Sequence, residues 1–267
     1  MIFFDRCWYN QKKNKGSPEE EDASFEIRYL DEDHLDEMMA LQEVIVQSLA
    51  DKEIFRTHSI DYFKNLFQVE KAAIGAFTEE GLIACSILQF PEEIEDNFGA
   101  DVNLPIDDLC RVVHLAKVAV HPAFRGNSLQ RKLQGIHLEV AREMGYYHAC
   151  CMVSPKNRHS LQNMFSHGFI IKALKLKFGS RLRYILHKNL LRPNMSVPDE
   201  IQILSSNTAG QICLLNQGFL GFRLELLRDD FEISYGRVQE LNDLPELQYS
   251  NNRMSSNRRS FITFAAR

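Results

Sequence analysis

Apolar positions along this chain change their period several times, and each change marks an element. Residues 25–30 alternate as a half-buried strand does. Leu35, Met38, Met39, Leu41 and Val46 then recur at helical spacing behind Asp31-Glu32-Asp33, acidic residues suited to a helix N-terminus. Ser59 is placed to cap a second helix carrying Tyr62, Phe63, Leu66 and Phe67. Residues 72–78 and 82–90 predict a hairpin across Glu79-Glu80-Gly81, and residues 91–108 a long acidic loop. Residues 115–120 form a compact β-branched strand that stops at His121-Pro122, because proline cannot donate to a sheet ladder.

Residues 123–128 turn from that strand into a helix, with Leu129, Leu133, Ile136, Val140 and Met144 on one stripe. A strand over 148–153 follows, then a short helix opened by Asn157 and a hairpin of 169–178 and 182–190 across Gly179-Ser180. Residues 191–206, with Pro193 and Pro198, read as a connector. Beyond it the pattern repeats: a helix over 208–216, Gly218-Phe219, a strand to Leu227, the turn Arg228-Asp229-Asp230, and a strand over 231–238. This echoes the helix, Gly168-Phe169 and hairpin fifty positions earlier, weakly in sequence. The expected organisation is a flexible leader (1–24), a main domain (25–190), a C-terminal helix-hairpin extension (191–240) packed on it, and a disordered tail (241–267).

Composition changes this picture little. The 267 residues, 45% hydrophobic and 25% charged, suit one large soluble domain with an appendage. A net charge of -5 gives no bias toward nucleic acid, and no apolar run reaches the ~18 residues of a membrane span. Six cysteines without a Cys-x-x-Cys pair fit reduced, buried thiols, and MIFFDRCWY lacks a basic leader, so a cytoplasmic protein is expected. Basic residues dominate from Arg125 to Arg192, which suits a polyanionic ligand.

Candidate chemistry sits at the turn after the central strand. Backbone N–H groups that open into a helix N-terminus favour a phosphate, because free donors and helix dipole point the same way. The run Val118-Ala-Val-His-Pro-x-x-Arg-Gly-Asn-Ser-Leu-Gln130, followed by Ser154-Pro-x-Asn157-x-x-Ser160 and His167-Gly-Phe169, resembles the GNAT superfamily of acyl-CoA-dependent N-acyltransferases. The core motifs cover residues 113–169, and a looser likeness covers about 25–190.

The resemblance implies an α/β GNAT fold, a mixed central sheet flanked by helices and splayed at its centre, with acetyl-CoA as co-substrate. It implies that Val118, Ala119 and Val120 pair with the pantetheine arm as an added strand would. It places the pyrophosphate on the N–H groups of Gly126, Asn127, Ser128, Leu129, Gln130 and Arg131, counts Arg125 among the cofactor-binding residues, and sets Asn157 against the pantetheine arm. Here Ser128 and Gln130 stand where the family's turn carries glycine, and glycine or alanine; both are compatible with an ordinary αR helix start.

His114, at the start of the central strand, matches a histidine on the proton path of arylalkylamine-acetylating relatives and is the expected general base. A tyrosine that serves many members as general acid corresponds to Met164, and a glutamate base of others to Met152. Cys151, Ser154 and Tyr184 remain as substitutes for the acid. The implied activity is transfer of acetyl from acetyl-CoA to a primary amine of a small molecule or peptide, by direct attack in a ternary complex. The alternative is a non-catalytic acyl-CoA-binding protein on the same scaffold. Acidic residues of the 91–108 loop are the expected counter-charge for a cationic amine. No metal, nucleic acid or membrane partner is expected, and the oligomeric state stays open, a homodimer included.

Overall fold

The computed structural model describes residues 7–9, 25–192, 199–228 and 230–237. In chain order the strands are β1 (Cys7–Tyr9), β2 (Phe25–Tyr29), β3 (Ala73–Thr78), β4 (Gly81–Gln89), β5 (Val112–Val120), β6 (His148–Val153), β7 (Ile170–Lys177), β8 (Arg181–Asn189), β9 (Ile201–Leu204), β10 (Leu220–Leu226) and β11 (Phe231–Gly236). The helices are α1 (Leu35–Ser48), α2 (Ile60–Phe67), α3 (Phe98–Asp101), α4 (Leu129–Glu143), α5 (Arg158–Ser166) and α6 (Thr208–Asn216). All eleven strands form one sheet, in the order β1-β2-β3-β4-β5-β6-β8-β7-β10-β11-β9.

The local reasons match the sequence pattern. Ser59 accepts the Tyr62 N–H at 3.2 Å to start α2, and Gly81 takes φ +113 at the β3–β4 turn, a value that suits glycine. Helix α4 buries Leu129, Leu133, Leu138, Val140 and Ala141 against the sheet, while Met38, Leu41 and Ile45 of α1 and Phe63 and Leu66 of α2 share a core cluster with Ile87 and Ala119.

Three expectations need correction. Part of the leader is strand β1, paired antiparallel with β2; the rest of 1–24 lies outside the described residues, as does the tail. The 91–108 loop is broken by α3, which Asn97 caps through Gly99 N–H at 2.9 Å, and by a 3-10 helix, Ile106–Arg111. The connector contains β9, which pairs with β11.

The fifty-residue echo is faithful in geometry. Asn157 accepts the Ser160 N–H at 3.0 Å, and Asn207 accepts the Gly210 N–H at 3.0 Å. At the other helix end, Phe169 N–H donates to the Met164 carbonyl (3.1 Å) and Phe219 N–H to that of Leu214 (3.0 Å). Each following hairpin carries a β-bulge at the same step, between Ile171 and Ala173 and between Gly221 and Arg223. In the sheet the two units meet back to back, β6-β8-β7 against β10-β11-β9, with Ile171 opposite Gly221. These two positions are also fifty apart, so a local pseudo-two-fold passes between them. A Cβ on Gly221 would stand 3.1 Å from Ile171 Cδ1 and Tyr235 Cε1, so this close crossing uses a residue without a side chain.

Candidate active site

The site begins where the sheet opens. Strands β5 and β6 run parallel and pair only at Val112, Val113 and His114. Beyond His114 they diverge, so the edge of β5 facing β6 is left without a strand as far as Val120, while its other edge stays on β4. A bulge lies at the divergence: Leu88 faces Leu115 and Ile87 faces Lys117, leaving Ala116 as the extra residue. The bulge lets four successive residues, Leu115 to Val118, border one cavity, which a regular strand with alternating sides does not do.

That cavity, about 310 Å³, lies between β5, β6, the loop after α1 and the β7–β8 turn. Its wall includes Phe55, Arg56, His58, Gln89, Phe98, Lys117, Met152, Ser154, Arg181 and Arg183. A second cavity of about 520 Å³ adjoins it toward the start of α4 and is bordered by Val118, Ala119, Val120, Arg125, Gly126, Ser128, Leu129, Gln130, Arg131 and Asn157. Ile54, Phe55, Val118, Gln130 and Asn157 border both.

The turn itself is shaped for an anion. The first bond of α4 runs from Lys132 N–H to the Ser128 carbonyl at 2.9 Å, so Leu129, Gln130 and Arg131 precede any helical acceptor. Gly126 has φ +85, and a Cβ there would meet nothing within 4 Å. Ser128 has φ 57 and ψ 14, left-handed backbone, so the αR start expected for it is corrected. It adopts the conformation glycine takes without cost, and its hydroxyl makes no cap bond. The Asn127 side chain donates to the Phe124 carbonyl at 3.3 Å. Arg125 reaches across to α1, donating to Ser48 Oγ at 3.0 Å. Asn157 caps α5 while bordering both cavities.

A parallel pair splayed beside a bulged strand, with an anion-suited turn at its end, is the arrangement that the resemblance to the GNAT fold implies. No protein-family model and no curated protein matches the chain. Solved structures resemble it. One is yncA of Salmonella typhimurium, solved with its cofactor acetyl-CoA (19% identity, 64% of this chain and 98% of that one, TM-score 0.47). Another is a GNAT-family acetyltransferase of Listeria monocytogenes (17%, 62% and 95%, 0.47). A third is a GNAT-family acetyltransferase of Streptococcus pneumoniae (13%, 62% and 98%, 0.48). At these identities and TM-scores the likeness carries no argument about chemistry, which rests on the residues that border the two cavities.

His114 does not sit as a base requires. It is 1% exposed, its ring stacks on Phe98 at 3.9 Å and 7°, and its Nε2 accepts the Phe98 N–H at 3.0 Å. Burial pushes its pKa down to about 3. The lone pair a base would use already accepts the Phe98 N–H, which speaks against the expected role as base and for a structural one.

The substitutes for the acid separate in the same way. Tyr184 is fully buried and donates to Gln211 Oε1 at 2.7 Å, and Cys151 lies in the core with burial raising its thiol pKa. Only Ser154 borders the cavity. Met164 packs in the core beneath α5, so that position does not face the site, whereas Met152 does.

The acidic loop supplies no counter-charge to the cavity. Asp101 pairs with Lys175 (3.2 Å) and Lys177 (2.5 Å), and Asp108 lies 3.9 Å from His148. No Asp or Glu among the described residues borders the cavity.

Sequence reasoning missed Lys117 and the 52–58 loop. Gln42 of α1 clamps that loop: its Nε2 donates to the His58 carbonyl and its Oε1 accepts the His58 N–H, both at 2.9 Å. The same Oε1 accepts Lys117 Nζ at 2.6 Å. The ammonium also lies over the rings of Phe55 (4.5 Å) and Phe63 (5.5 Å), and burial lowers its pKa to about 8. His58 stacks on Tyr62 at 3.8 Å and is pushed down to about 3, first by burial and then by Lys117 and Arg56. A bare helix stripe gives no sign that Gln42 faces inward. A lysine inside an apolar strand was the one available signal.

Proposed function

We propose that this chain transfers acetyl from acetyl-CoA to a primary amine of a small molecule or peptide, by direct attack within a ternary complex. The observation that carries the reading is that the two cavities adjoin along the open edge of β5, sharing Ile54, Phe55, Val118, Gln130 and Asn157. Acetyl-CoA fits what the residues offer. Its diphosphate would take the N–H groups of Leu129, Gln130 and Arg131 and the open turn at Gly126. Its pantetheine arm would pair with Val118, Ala119 and Val120 as an extra strand, with Asn157 alongside. The thioester would then lie by the bulge at Ala116, and the amine would enter from the side of Arg56 and Phe178.

In the transfer, the amine nitrogen forms a C–N bond to the thioester carbonyl carbon, the C–S bond breaks, and the sulfur leaves as thiolate. A thiol of cysteine-like acidity (~8.5) leaves without full protonation. The proton shed by nitrogen goes to water in the cavity, since no carboxylate among the described residues borders it and the His114 lone pair is occupied. Holding the two reactants together in one cavity supplies most of the acceleration.

Calorimetry of the full chain with acetyl-CoA, followed by thiol release across an amine panel, tests the proposal. Saturable binding and amine-dependent thiol release are expected. Binding without release across a broad panel would leave an acyl-CoA-binding protein on the same scaffold, and absence of binding would end both readings.

A further inference from the structure

Positive groups border the cavity from three separate elements. Arg56 comes from the loop after α1, Lys117 from the bulge of β5, and Arg181 from β8. The nearest carboxylates of the acidic segment are turned to other partners, Asp101 to Lys175 and Lys177 and Asp108 toward His148. Among the described residues the wall is therefore cationic and carries no acid. An amine bearing only its own positive charge gains nothing from such a wall, because like charges in a partly desolvated space repel.

Lys117 sharpens the point. It is 8% exposed, and the groups that hold its ammonium are neutral: the Gln42 amide oxygen and the faces of Phe55 and Phe63. A buried charge with only neutral partners is costly, and an anion arriving beside it supplies the missing compensation. Arg56 meets the β7–β8 turn through the ring of Phe178, its guanidinium carbon 4.3 Å from the ring centroid, so cation and turn together border the cavity.

Resting on the transfer reading above, we infer that the acceptor is a small primary amine that carries its own anionic group, a carboxylate or a phosphate, close to the reacting nitrogen. A cavity of about 310 Å³ is at the small end of ligand sites and suits a molecule of amino-acid size. The arginines give the anion paired donors in fixed geometry, and Lys117 adds a point charge deeper in.

The test uses matched amines with the full chain and acetyl-CoA. One arm compares amino acids with their carboxamides and their decarboxylated amines; the other compares phosphoethanolamine with ethanolamine. The anionic member of each pair is expected to have the higher kcat/KM by about tenfold or more, and the stronger arm identifies carboxylate or phosphate. Arg56→Gln and Arg181→Gln are each expected to raise the acceptor KM about tenfold for the anionic member alone, leaving the KM for acetyl-CoA unchanged. Equal or better turnover of the neutral or cationic members would overturn the inference and leave the transfer reading standing. Acetyl-CoA binding with no thiol release to any anionic amine would also overturn it. Failure to bind acetyl-CoA at all would remove the transfer reading first and this one with it.

Discussion

Gln211→Leu should be among the most damaging single changes outside the cavities. Gln211 of α6 is fully buried, and its Oε1 accepts Tyr184 OH of β8 at 2.7 Å and Tyr235 OH of β11 at 2.8 Å. Its Nε2 donates to the carbonyls of Leu204 (3.1 Å) and Ser205 (2.8 Å). Leucine has nearly the same volume, so little cavity forms; the loss is polar. Two phenol hydroxyls and the Ser205 carbonyl lose this partner, while the Leu204 carbonyl keeps the Asn207 N–H at 3.0 Å. At about 1–2 kcal/mol for each buried group left unmet, and about 1 kcal/mol returned by the apolar side chain, the expected cost is about 3 kcal/mol. That is a large share of the roughly 5–15 kcal/mol that holds a folded domain.

The sign of a second change is more telling than the size of the first. In the native background Tyr184→Phe removes a satisfied hydrogen bond and should cost about 1 kcal/mol. In the Gln211→Leu background the same change removes a stranded hydroxyl and should stabilise the chain by about the same amount. Urea unfolding of the four proteins at pH 7, followed by circular dichroism, gives the coupling directly. Additive costs across the cycle would refute the reasoning, because they would mean that the hydroxyl was never held by the amide.

Other expectations come from buried and strained groups. His114, His137 and His187 are all held near pKa 3 by burial. Between about pH 3 and the ordinary 6.5 these histidines bind more protons in the unfolded chain, so their contribution to stability is full above 6.5 and falls as pH drops through that window. Each histidine contributes up to about 1.4 kcal/mol per pH unit, so urea midpoints should collapse between pH 6.5 and 5, and a flat profile would contradict the burial. Ser128→Gly should raise the melting temperature by a few degrees, worth up to about 1 kcal/mol, since a serine at φ 57 is strained; a lower melting point would show that the hydroxyl contributes. Lys117→Met should stabilise the protein at pH 7. Its folded pKa of about 8 lies below the reference 10.5, so wild-type stability rises with pH across that window and the variant's advantage shrinks above pH 8. His114→Gln should lower stability while leaving the pH dependence of transfer unchanged, and a shifted profile would restore His114 as a base.

Much of the fold was legible because each element carries its own local signal. Ser59 and Asn157 cap the helices they precede, and the turns at Gly81 and Gly179 adopt the positive φ that glycine allows. What the sequence concealed was mostly non-local. The bulge at Ala116 is invisible in a β-branched run, and it brings Lys117 to a wall that alternation assigns to the opposite side from His114. His114 looked catalytic because its position matched a family histidine, but its role depends on Phe98, sixteen residues away along the chain and stacked on its ring. The repeat of the C-terminal piece was faint in side chains and strong in capping bonds, since backbone geometry tolerates many sequences that share an asparagine and a glycine at the right places.

The charge of the cavity and the cost of Lys117 are two sides of one arrangement. Burying an ammonium lowers its pKa because the protein solvates it less well than water does, and that deficit is carried by the folded state at neutral pH. Gln42 reduces the deficit with one short hydrogen bond, but the same amide also fixes the His58 backbone, so its position answers to two demands. A fold selected for stability alone would place methionine or leucine at position 117, next to Phe55 and Phe63, and lose nothing in packing. A cation there, bordering the same cavity as Arg56 and Arg181 beside the open edge of β5, would find its compensation in whatever anion the cavity admits. On that reasoning the ligand's anion would compensate the buried ammonium, and the selectivity of the site and the rise of stability with pH above about 8 share a single side chain.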